Sequence, residues 1–76
     1  MAWNADIVLK SGKNVLVEKL STINTKSSTD SSVKELKDFR TFHLNRGQRI
    51  SFVGEKSVVS IISDEIEYVE LSEITN

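Results

Sequence analysis

The sequence predicts a mainly β fold, a small antiparallel, partly open barrel of five or six short strands with one short capping helix near 33–38. Three observations predict it. Blocks of Val, Ile, Leu and Phe recur with partial alternation of period two, the signature of half-buried strands. Each block is punctuated by Gly, Asn, Asp or Ser, and the three glycines of the chain all fall between blocks. An open sheet this small leaves two unpaired edges, and curling into a barrel removes them.

The elements follow in chain order. Asp6–Lys10 is the first run, and Ser11-Gly12-Lys13-Asn14 turns the chain. Val15–Ile23 follows, with its apolar phase slipping from positions 15 and 17 to 20 and 23, which predicts a bulge or a sharp bend. Eight of the twelve residues from Ser21 to Ser32 are Ser or Thr, so 21–32 is expected to be a flexible loop. Ser32-Val33-Lys34-Glu35 has capping-box spacing and starts the expected helix. Val33 and Leu36 share one face of it with Phe39 just beyond, as a lid on a barrel mouth.

Thr41–Leu44, Gln48–Val53 and Ser57–Ile62 then form a predicted three-stranded meander, turned at Asn45-Arg46-Gly47 and at Gly54-Glu55. All three glycines are expected at positive φ. Val58–Ile62 is an uncharged β-prone window flanked by Lys56 and Asp64 as gatekeepers, and is expected at the centre of the sheet. Ser63–Ile66 reads as a polar corner with one 3₁₀ turn, Tyr68–Leu71 as the closing strand, and 72–76 as a frayed tail. The predicted core is Ile7, Leu9, Val15, Val17, Leu20, Phe42, Leu44, Ile50, Phe52, Val59, Ile61, Val69 and Leu71.

At 76 residues the chain is expected to be a single domain, 1–76, without room for a deep cleft between lobes. No leader pattern opens it and no apolar run approaches the roughly 20 residues that cross a bilayer. No contact with membrane is therefore expected, and the expected location is cytoplasmic. The absence of Cys removes disulfides and thiol chemistry together and leaves the redox compartment open. The net charge of -1 conceals an asymmetry. Between 34 and 49, Lys34, Lys37, Arg40, Arg46 and Arg49 face only Glu35 and Asp38; from 50 onward Lys56 faces Glu55, Asp64, Glu65, Glu67, Glu70 and Glu73.

The same composition argues against catalysis. A zinc site needs several His or Cys, and His43 is the only one of either. A triad would need that same His43 as its base, but alternation between Phe42 and Leu44 turns it outward. Asp64 and Glu65 lie in a predicted turn rather than in the buried setting that splits the pKa values of a carboxylate pair. Spaced calcium ligands and Gly-rich phosphate loops are missing as well. No enzyme activity, cofactor or metal is expected.

Binding is the remaining chemistry. Arg40, His43, Arg46 and Arg49 surround one predicted hairpin, interleaved with Phe39 and Phe42, and single strands of nucleic acid need basic grooves with stacking aromatics. Trp3 is a further aromatic, placed either to meet a partner or to plug the open end of the barrel. Asp64, Glu65, Glu67 and Glu70 form a candidate acidic partner surface, alternatively an internal complement to the basic segment.

Leu9-Lys10-Ser11-Gly12-Lys13-Asn14-Val15 resembles the opening hairpin of the first Sm signature, and Arg46-Gly47 followed by Ile50 resembles the Arg-Gly turn of the second. The resemblance to Sm-like and SH3-like barrels implies ring assembly and RNA binding. The chain is also similar in general character to small proteins of unassigned function from Gram-positive bacteria and their phages, which implies no activity. The reading reached from sequence is a non-enzymatic binding or assembly module acting through surface contacts. Its expected partners are itself, as a homodimer or small ring through edge strands, and a protein of unknown identity. The alternative is an Sm-like protein that binds single-stranded nucleic acid.

Overall fold

A computed structural model describes residues 2–27 and 32–74. Its strands are β1 (Ala2–Leu9), β2 (Asn14–Val17), β3 (Thr22–Ser27), β4 (Val33–Leu36), β5 (Gln48–Val53), β6 (Val58–Ile62) and β7 (Ile66–Ile74). They form two antiparallel sheets, one in the order β2-β1-β7 and one in the order β4-β3-β5-β6. Mainly β is thus right, but among the described residues the sheets do not close into the expected barrel.

The physical reason lies in the phase slip after Val17. One bent strand was expected over 15–23; instead the chain leaves the three-stranded sheet at Val17 and enters the four-stranded one at Thr22. The corner between them places Lys19 at φ 51, the left-handed region that non-glycine residues rarely enter. Three bonds hold it. Lys19 N–H donates to Asn4 Oδ1 (3.1 Å), Leu20 N–H to the Trp3 carbonyl (2.7 Å) and Ser21 N–H to the Val53 carbonyl (2.7 Å). Positions 15 and 17 therefore face the core from one sheet, and 23 faces it from the other.

The core sits between the two inner faces. Ala5, Ile7, Val17 and Ile66 come from the three-stranded sheet, Ile23, Ile50 and Phe52 from the four-stranded one, Leu20 from the corner between them and Phe39 from the segment between β4 and β5. Alternation found Ile7, Val17, Leu20, Ile50 and Phe52 among them. It missed Ala5, Phe39 and Ile66 as well as Ile23, which lies in the Ser/Thr-rich stretch, and it wrongly placed Leu44 inside, where the structure leaves it exposed.

Several elements differ from expectation. The segment 33–36 is a strand and not part of a helix: Val33, Lys34, Glu35 and Leu36 pair with Lys26, Thr25, Asn24 and Ile23. A six-residue helix bears the full cost of nucleation, whereas the free side of β3 supplies a ready ladder. The expected loop 21–32 is β3 over Thr22–Ser27, and 28–31 lie outside the described residues. Thr41–Leu44 is not a strand, because Thr41 and Phe42 N–H groups donate back to the carbonyls of Asp38 and Phe39 in a 3₁₀ turn over Phe39–Thr41.

Val58–Ile62 is an edge strand rather than a central one. The closing strand is longer than expected and includes Ser72–Ile74 of the expected frayed tail; 75–76 lie outside the described residues. It pairs with β1 along its length, with a register shift that leaves Glu67 as the extra residue of a bulge. The polar corner is a 3₁₀ turn over Ser63–Glu65, as the sequence indicates.

Gly12 (φ 95) and Gly47 (φ 71) occupy the left-handed region in their turns. Gly54 does not. Its role is close approach: a Cβ there would lie 2.6 Å from Val17 Cγ1 and 2.7 Å from the Glu18 carbonyl oxygen.

Candidate functional site

Because side chains alternate along a strand, burial of one set in the core fixes which set each sheet turns outward. On the four-stranded sheet the register aligns one row across all strands: Val33 pairs with Lys26, Lys26 with Arg49, and Arg49 with Ile62. Val33 and Ile62 are 60% and 43% exposed. A cation pair thus stands between two apolar ends. The neighbouring row is small and polar, Glu35–Asn24–Ser51–Ser60, with the Ser51 hydroxyl donating to Ser60 Oγ at 3.3 Å. Among the described residues no element is layered over this face.

The three-stranded sheet mirrors it with the opposite sign. Leu16, Asp6 and Glu70 form one outer row, and Asn14, Val8 and Tyr68 the next. Leu16 and Tyr68 are both 55% exposed. Asn14 Nδ2 donates to Asp6 Oδ1 at 3.4 Å, so part of the carboxylate charge is met within the face.

Each outer face therefore sets like charges directly opposite one another, an arrangement that costs a sheet about 0.2–1 kcal/mol. Salt screens the repulsion but leaves the arrangement unfavourable. An oppositely charged surface laid on either row turns it favourable, because charge-assisted hydrogen bonds are the stronger kind.

The four basic residues singled out in the sequence do not converge. Arg40 lies 5.6 Å from the Trp3 ring centroid and pairs with Glu73 at 3.4 Å. Trp3 packs edge-on against buried Phe39 at 6.0 Å. Trp3, Phe39, Arg40 and Glu73 thus form one packed group, and the open barrel end considered for Trp3 to plug is not formed among the described residues. His43 and Arg46 are exposed in the segment between the 3₁₀ turn and β5. Arg46 borders a groove shared with Lys10, Asp64 and Glu67. Only Arg49 stands on the outer row, and its partner there is Lys26, which the loop assignment of 21–32 concealed. The β-branched Thr22, Ile23 and Thr25 before Lys26 were the available signal for a strand.

The acidic quartet is also divided. Asp64 Oδ1 accepts from the Gly47 N–H at 3.0 Å and fastens the loop before β5. The Glu65 carbonyl accepts from Lys10 N–H at 2.9 Å. Glu67 sits at the bulge, and Glu70 stands opposite Asp6 on the outer row. Among the described residues no group of three or more His, Cys, Asp or Glu is placed to hold a metal, and no helix is long and apolar enough to cross a membrane.

Comparison with protein families, with curated proteins and with solved structures found no match for this chain.

Proposed function

We propose that this chain is a non-enzymatic binding and assembly module, and that the outer face of its four-stranded sheet docks an acidic protein surface. The observation that carries the reading is the row Val33–Lys26–Arg49–Ile62, in which an unfavourable cation pair is flanked by exposed apolar side chains. Carboxylates meet the two cations while the apolar ends supply contact area, the usual division between polar specificity and buried anchors.

The nucleic-acid reading shares the cations but lacks its stacking partners. Phe39 is buried, Phe42 packs edge-on against Phe52 at 6.2 Å, Trp3 lies under Arg40, and Tyr68 is on the acidic face. Single-strand binders draw much of their affinity from base stacking.

A photo-crosslinking side chain at Asn24, at the centre of the face, tests the reading in cells of the source organism, with Lys13 in the β1–β2 turn as control position. A discrete protein adduct from position 24, absent from position 13 and lost in the Lys26→Glu, Arg49→Glu double variant, is expected. Equal adducts from both positions, or an adduct indifferent to charge reversal, overturn it. Anisotropy with a mixed-sequence oligonucleotide at low salt is expected to show no binding; binding abolished by the same reversal moves the function to nucleic acid.

A further inference from the structure

Among the described residues, four strands border the two sheets: β2 and β7 on one, β4 and β6 on the other. Exposed backbone groups invite pairing with another chain unless charge, length or cover prevents it. The edge of β7 carries Glu67, Glu70 and Glu73. Antiparallel self-pairing about Glu70 would set Glu67 against Glu73 and Glu70 against itself. β2 and β4 have four residues each. The end of β2 is crowded by the β5–β6 loop at Gly54, and β4 carries Lys34 and Glu35.

β6 differs from all three. It is the five-residue run Val58-Val59-Ser60-Ile61-Ile62, with no charge inside it and with Val58 63% exposed. The phase of its ladder is fixed by the Gly54 N–H, which donates to the Ser57 carbonyl at 2.8 Å. Alternation from that pair makes Phe52–Val59 and Ile50–Ile61 the pairs that exchange hydrogen bonds, and turns the N–H and C=O groups of Val58, Ser60 and Ile62 away from β5. Gln48 N–H, which donates to Ser63 Oγ at 3.1 Å, lies on the same phase.

We propose that β6 is the seam of a symmetric homodimer, pairing antiparallel with β6 of a second copy about Ser60 to make one continuous eight-stranded sheet. The residue pattern is self-complementary in that register alone. Val58 meets the partner's Ile62, Val59 meets the partner's Ile61, and Ser60 meets the partner's Ser60, so apolar side chains oppose one another on both faces. The outward backbone groups of Val58, Ser60 and Ile62 are the ones that exchange hydrogen bonds across the seam. Lys56 is carried toward the partner's Asp64, an opposite-charge match where the flanking charges of β7 repel. The same two residues that shield the strand from random pairing thereby select one partner and one register. Five residues a side is a small seam of the transient class, below about 1,200 Å², so the dimer forms in a concentration-dependent manner.

The chain contains no Cys, so Ser60→Cys introduces a single thiol. Directly opposed residues of an exchanging antiparallel pair lie about 5.5 Å apart at Cα, within disulfide range. Mild oxidation at tens of micromolar is expected to link Ser60→Cys to itself at least ten times faster than Ser11→Cys in the β1–β2 turn. Equal rates overturn the proposal. Sedimentation over a dilution series is expected to show monomer and dimer for the unaltered chain and monomer for Ser60→Pro, whose missing N–H is one that points away from β5. Ile62→Lys gives the same reading if the proline variant does not fold. A dimer that survives in a folded variant of either kind, or an unaltered chain that stays monomeric, overturns the seam. Neither result bears on the docking of an acidic surface, which the Asn24 crosslink reads separately.

Discussion

Asp6 stands opposite Glu70 across the three-stranded sheet, and Lys26 stands opposite Arg49 across the four-stranded one. The inner faces of the same sheets are alike, both made of Ile, Val, Ala or Phe side chains excluded from water. The difference teaches where this chain spends its specificity. Inward positions are interchangeable in chemistry and answer to volume, while outward positions carry sign, and the sign is arranged at a cost to the fold. The sharpest test of that division uses two isoleucines of the four-stranded sheet, one on each face. Ile50→Ala is expected to destabilise the protein by about 2–5 kcal/mol, as for other buried large-to-small changes. Ile62→Ala is expected to change stability by less than about 0.5 kcal/mol. Chemical denaturation measures both, and equal losses would erase the distinction between the faces.

The sheets also meet where the β5–β6 loop approaches the end of β2, and there the comparison predicts a steric effect rather than a chemical one. Gly54→Ala places a methyl group against Val17 Cγ1 and the Glu18 carbonyl. The backbone oxygen cannot rotate away, so a loss of about 1–3 kcal/mol is expected, in the range of overpacked sites. A neutral result in thermal unfolding would show that the loop moves freely off the three-stranded sheet.

How much of this was legible beforehand follows from the period of the signal. Alternation of period two identified Ile7, Val17, Ile50 and Phe52 as core, because a strand with one buried face announces itself residue by residue. It does not state which strand pairs with which. The phase slip after Val17 was visible as a bend, but that the bend moves the chain between sheets depends on Lys19 and its neighbours bonding to β1 and β5. β3 was hidden because Ser and Thr serve loops and strands alike, and with it Lys26 was hidden as the partner of Arg49. The capping-box spacing at Ser32 predicted a helix and was overruled by the ladder with β3. Charge by segment, basic before acidic, was read from sequence, while the two opposed rows needed the register.

Where Trp3 and Phe39 meet, Arg40 links the 3₁₀ turn to β7 through Glu73. Arg40→Ala is expected to cost about 1 kcal/mol, combining an exposed ion pair and a cation–π contact. Arg40→Lys retains charge but loses the planar group over the indole. A loss in Arg40→Ala that vanishes in high salt would assign the whole effect to Glu73, and one that persists would assign part of it to the ring.

The smallest expected effect is the most telling for the outer faces. Glu70→Lys converts the Asp6–Glu70 opposition into an attractive pair, and Lys26→Glu does the same for Lys26–Arg49. Each is expected to stabilise the fold by about 0.2–1 kcal/mol at low ionic strength, with the gain shrinking as salt is added. A gain in stability from reversing a native charge means that the sign of that charge is not there for the fold. The two substitutions then part company: Lys26→Glu is expected to abolish the adduct at Asn24, whereas Glu70→Lys, on the opposite side of the molecule, is expected to leave it intact. Lys26→Glu raising stability while removing the adduct assigns that charge to a partner. Loss of stability in Lys26→Glu would instead show that Lys26 serves the sheet, and the basic row would no longer mark a docking surface.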